Sequence, residues 1–163
     1  MTPPASAPQT SLLRHPIATL AYRAARALRG APPDFAGFKA SPVTRTPAEI
    51  LAHMGDLFDW AVGLADGKHA WHDSTPLAWD EEVERFFRAL DAFDQRLATA
   101  EPLGFPAERI FQGPIADALT HTGQIAMLRG MAGCPARGEN YFKAEIQAGR
   151  VGIEQAAPKV EFS

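Results

Sequence analysis

Cysteine is almost missing: Cys134 stands alone among 163 residues. An intrachain disulfide is therefore excluded, and so is a C-x-x-C redox pair. That usage fits a reducing compartment, so a cytoplasmic protein is expected. No stretch approaches the roughly 20 apolar residues that span a bilayer. Blocks of Lys and Arg are lacking too, and 16 basic side chains face 19 acidic ones for a formal charge of -3. Such a balance offers no electrostatic handle for nucleic acid or an anionic membrane, and neither is an expected partner. β-branched alternation is absent, which argues against strands. The opening residues are prolines and small polar or apolar types without the basic start of a signal peptide, and residues 1–11 read as a flexible tail.

What is present is helical periodicity, over a length that suits one domain from residue 12 to 163. Ile17, Leu20, Ala21, Ala24 and Leu28 recur at helical spacing after Pro16, predicting a first helix over about 16–29. Residues 30–45 carry no period, and Phe35 and Phe38 are the expected anchors of that connection. Thr46-Pro47-Ala48-Glu49 is a capping box with proline at the first helical position. It opens a second helix that ends near Asp66-Gly67. Val83, Phe86, Leu90, Phe93 and Leu97 form the seam of a third, over about 79–98, with Asp80, Glu81 and Glu82 in its first turn. Gly113-Pro114 is read as the opening of a fourth, which runs to about Ala132. These elements predict an all-α four-helix bundle with long connections and a short extended C-terminal tail.

The fourth helix carries the strongest chemical signal. Asp117 and His121 lie four residues apart on one stripe of a helix that is apolar on much of its surface. Burial of such groups costs several kcal/mol, roughly 2 to 7, unless each finds a partner. Spacing of i,i+4 lets both side chains meet one ion. His53, on the edge of the second helix's core face, can complete a two-histidine, one-carboxylate set with open positions. That donor set admits Zn, Ni, Fe, Co or Mn. The plainer readings stand beside it: an ordinary core-edge histidine at His53, and a direct Asp117–His121 pair. Gln124, one turn beyond His121, is placed to bond either His121 or a ligand. His69 and His72 flank Trp71 in the loop before the third helix and are further candidates. Asn140 and Tyr141 are candidates to close a pocket, or simply part of a tail packed across the bundle. Trp71 and Trp79 read as pocket wall or space-filling. His15 reads as a residue preceding the first helix.

The run Thr46-Pro47-Ala48-Glu49-Ile50-Leu51-Ala52-His53, the seam of the third helix and His121-Thr122-Gly123-Gln124-Ile125 together resemble the DinB/YfiT-like family of four-helix metalloproteins. The resemblance covers about residues 12–132. It implies a metal histidine at His53 and another at His121, with Asp117 where the family usually has a third histidine. It also implies a homodimer acting on a small molecule, in some members by transfer to a low-molecular-weight thiol. Three functions follow as expectations. The first is a divalent-metal-dependent enzyme with a metal-activated thiolate or water. The second is a non-catalytic metal- or small-ligand-binding, stress-related protein. The third is a structural bundle without metal.

Overall fold

The computed structural model describes residues 7–99 and 101–162. Helix α1 spans Ala7–Leu28, α2 Pro47–Ala65 and α3 Trp79–Ala98. Helix α4 is one rod in three parts: a first turn Ala107–Ile110, a π-helical stretch Phe111–Ile115, and the long segment Ala116–Met131. Among the described residues the only β pairing is a single bridge between Glu139 and Glu161. No helix there is long and apolar enough to cross a membrane.

Around the bundle the helices follow the order α1, α3, α2, α4, so that α1 and α2 sit on one diagonal and α3 and α4 on the other. The chain therefore crosses the bundle twice. A connection as long as 29–46 makes the first crossing, anchored by buried Phe35 on Trp79 and by Phe38 against the core. The predicted seams meet at the centre, where Phe58 of α2 packs on Phe86 and Phe93 of α3 at ring distances of 6.1 and 5.8 Å. Each such fully buried side chain contributes about 1.5–3 kcal/mol.

Local sequence explains the best-formed ends. The Thr46 hydroxyl accepts from the Glu49 N–H, and the Glu49 carboxylate accepts from the Thr46 N–H. This is the capping box that the sequence predicts, and it holds the Glu49 carboxyl below its usual range. At the other end of α2, the Ala65 carbonyl accepts from Gly104 N–H and from Arg96, each at 2.8 Å. That contact presses residue 104 onto Gly67, which turns the chain at φ +77°. A Cβ on Gly104 would overlap the backbone N and Cα of Gly67. Gly104→Ala is expected to destabilise the fold by about 3 kcal/mol, since backbone rather than a rotatable side chain must move. Chemical denaturation with an unchanged m value would register it.

Two helix starts differ from expectation. Helix α1 begins at Ala7, inside the stretch read as tail, and Pro16 lies within it; residues 1–6 fall outside the described residues. Proline is tolerated there because the carbonyl it deprives belongs to Leu12, an exposed position where water can take the bond. Helix α4 begins before Gly113-Pro114 rather than at it. The π stretch is how it passes the proline: Ala116 N–H reaches back five residues to Phe111 O. Widening the turn moves the carbonyl that the ring would otherwise strike.

Beyond α4 the chain is a strap over α1. Arg129 donates to the carbonyls of Ala27, Arg29 and Cys134, and Val151 is buried. Buried Glu139 accepts from Tyr22 Oη at 2.7 Å and faces Arg26 Nε at 3.0 Å. Burial, and then the bond to Glu139, pushes the Tyr22 hydroxyl up to about 12.

Candidate metal centre

Helices α2 and α4 run antiparallel: Trp60 meets Gly113, and His53 meets Asp117 and His121. The i,i+4 spacing puts Asp117 and His121 on the same face of α4, and the packing turns that face toward His53. A single oxygen, Asp117 Oδ2, lies 3.1 Å from His53 Nε2 and 3.4 Å from His121 Nε2. The imidazole rings meet edge to face at 4.9 Å. His53 and His121 are largely covered, with 21% and 13% of their side chains exposed, while Asp117 at 44% forms the mouth. Among the described residues, no Lys or Arg bonds to any of the three.

Hydrogen bonding fixes what His121 can do. Its Nδ1–H donates to Gln124 Oε1 at 2.7 Å. In the neutral ring, Nε2 then carries a lone pair, 3.4 Å from a carboxylate oxygen. A hydrogen from His53 Nε2 can satisfy that oxygen, whereas an unprotonated His121 Nε2 offers it none. A cation among the three would be met by a donor atom from each. Bonds of about 2.1 Å from one ion to each donor place neighbouring donors roughly 3.0 Å apart at a right angle and 3.4 Å apart in a tetrahedron. The two observed separations match that range.

Aromatic side chains line the side toward α3. Trp71, in the loop between α2 and α3, leans on the His53 ring at 5.4 Å and meets Trp60 at 5.7 Å. His69 packs between Trp60 and Phe105, at 5.5 and 6.2 Å, and is not part of the trio. Trp79 fills space against Phe35, at 5.5 Å between ring centroids.

His72 belongs to a second group that the sequence reading did not assemble. His72 lies 3.4 Å from Asp56 and 3.2 Å from Asp59. Those ligand atoms are close enough together to hold an ion as well. Here, however, a resident cation is already in place. Arg85 of α3 pairs with Asp56, with Asp59 at 3.3 Å and with Glu82 at 2.8 Å. Asp56 also accepts from the backbone and hydroxyl of Ser74, at 2.8 and 2.6 Å. Burial raises the Asp56 carboxyl, but the bonds from Ser74 and Arg85 outweigh it and hold the group below the usual range. Gly55 leaves room for the guanidinium, since a Cβ there would come within 2.7 Å of Arg85 Nη1. The network ties the 68–78 loop down and so sets Trp71 against His53.

The remaining candidates lie elsewhere. Tyr141 sits under Arg23, 4.0 Å from ring centroid to guanidinium, in a cleft between α1 and the opposite face of α4. Asn140 caps its own 3-10 turn by accepting from Phe142 N–H. Neither closes the mouth of the trio, because the strap crosses α1 rather than the α2–α4 corner. His15 is an exposed residue within α1, and Cys134 lies beside the 32–38 connection. No family model, curated protein or solved structure matches this chain.

Proposed function

We propose that the chain is a divalent-metal protein of the DinB/YfiT kind, with His53, Asp117 and His121 as the protein ligands, acting on a small molecule. The observation that carries this reading is the convergence of one donor atom from each of His53, Asp117 and His121, all within 4.8 Å of one another, with no Lys or Arg bonded to any of them among the described residues. An ion held by these three residues would supply Lewis acidity and would lower the pKa of a bound thiol or water, the chemistry a thiol-dependent transfer needs. The protein's own part is positional. Gln124 fixes the tautomer of His121, Trp71 limits how the His53 ring can turn, and exposed Asp117 marks the side from which a ligand enters. Zn, Ni, Fe, Co and Mn all remain compatible with two imidazoles and one carboxylate. A cytoplasmic homodimer is part of the same proposal.

A non-catalytic binder is the second reading, and the placement of His69, His72 and Tyr141 favours it. Each makes its contacts away from the trio, so none of these three stands where it could carry a proton there. Titration of the full chain with zinc, nickel, manganese and ferrous iron is expected to give about one ion per chain. Uptake of none of them after chelator removal would sink both readings. Gln124→Leu is expected to weaken the bound ion about 10- to 100-fold, as loss of a partner that orients a ligand does. Competition with a chromophoric chelator measures it.

A further inference from the structure

A cleft adjoins the trio at His121. About 490 Å³ in volume, it is bounded by His121 and Gln124, by Ile50, Leu128, Met127 and Met131, and by the 40–45 segment with Ala40, Thr44 and Arg45. That size lies within the range of small-molecule sites. The cleft follows α4 from His121 to Met131, a rise of roughly 15 Å. Its walls are apolar, and Met127 and Met131 are 70% and 57% exposed. Thioethers adapt their shape to what lies on them.

Two cations, Arg45 and Lys39, stand at the rim, with the Glu49 carboxylate within electrostatic reach of both. Arg45 makes no hydrogen bond or ion pair among the described residues, and Lys39 is held nearby with its ammonium on the Thr44 carbonyl at 3.0 Å. No carboxylate lines the cleft. Glu49, four residues beyond Arg45, has its carboxylate bound to the Thr46 N–H instead. A guanidinium with no hydrogen-bonded carboxylate, at the edge of an apolar wall, is suited to a carboxylate or phosphate.

We infer that the ligand of this centre is an amphipathic anion: an apolar body lying on Ile50, Leu128 and the two methionines, an acid group at Arg45, and a donor atom reaching His53, Asp117 and His121. The donor-atom part rests on the metal reading above; the acid-binding part does not. Octanoate and ω-mercaptooctanoate are suitable probes, titrated calorimetrically into the full chain with and without zinc. Octanoate is expected to bind with or without zinc. Zinc is expected to raise the affinity of the thiol acid at least tenfold over octanoate. Arg45→Gln and Leu128→Trp are expected to weaken both probes at least tenfold while leaving zinc affinity unchanged. Binding that both variants leave intact would overturn the inference, as would zinc uptake without binding of either acid. Octanoate binding that depends on Arg45 in a chain that takes up no zinc would uphold the acid site and remove the metal centre alone.

Discussion

Asp117→Ala is expected to reduce affinity for a divalent cation by at least about a hundredfold. The side chain is the only carboxylate of the trio, and its Oδ2 is the atom on which both imidazoles converge. Without it the two histidines keep their positions but share no anionic ligand, and an ion bound by two neutral donors is held loosely. Thermal unfolding shows the loss directly. A cation at a hundred times its dissociation constant stabilises the wild type by about 2.7 kcal/mol, which corresponds to roughly 5–10 °C for a chain of this size. Asp117→Ala should show almost none of that rise. Asp117→His is the informative companion. It keeps three donors and removes a negative charge, so it should bind zinc or nickel while losing affinity for manganese. Equal metal-induced shifts in wild type and Asp117→Ala would show that the ion sits elsewhere, with the Asp56, Asp59 and His72 group the first place to look.

Arg85→Met is expected to be the most destabilising of the substitutions considered, by about 3–5 kcal/mol. It leaves the carboxylates of Asp56 and Glu82, only 2% and 0% exposed, without the guanidinium that neutralises both. The midpoint of unfolding should fall by roughly 8–15 °C. Arg85→Lys should recover part of this, since an ammonium supplies the charge without the fork that reaches both acids. Acid probes the same network. The Asp56 carboxyl is depressed in the folded chain, so its stabilisation is complete above the ordinary carboxylate range, near pH 4. It is lost as pH falls through the lower folded value. Because the network holds the 68–78 loop, Trp71 should leave His53 as it fails, and tryptophan emission should change before helicity does. Coincident loss of both signals would mean that the loop is not a separate cooperative unit.

Local features were the legible ones. The capping box at Thr46, the seam of α3 and the i,i+4 pair on α4 each depend on neighbours in sequence, and each is where the pattern puts it. His53 required more, since its place beside Asp117 and His121 follows from how α2 and α4 pack; the clue was its position beside the apolar face of α2. The Arg85 network was not legible. Its members come from α2, α3 and a loop, and in sequence Asp56, Asp59, Glu82 and Arg85 look like charges on solvated helix faces. Small hints existed in Gly55, an unexpected glycine inside a helix, and in the Glu82–Arg85 spacing. Gly113-Pro114 misled because that dipeptide ordinarily marks a boundary, and only a π turn lets a helix continue through it. Tyr141 could not be placed from sequence, because the strap's route is decided by Glu139 finding Tyr22 and Arg26.

That strap has a temporal side. Tyr22 bonds to a carboxylate 117 residues further along the chain, and the carbonyls at the end of α1 wait 100 residues or more for Arg129. Synthesis proceeds from the amino end at about 5–20 residues per second. During translation, α1 therefore emerges many seconds before the side chains that cover its outer face. Through that interval its Tyr22 and Arg26 face water or a chaperone, and the three helices already made can collapse only around an open corner. Distant pairing of this kind slows folding, and it makes the closing of α1 a late event on the ribosome rather than an early one.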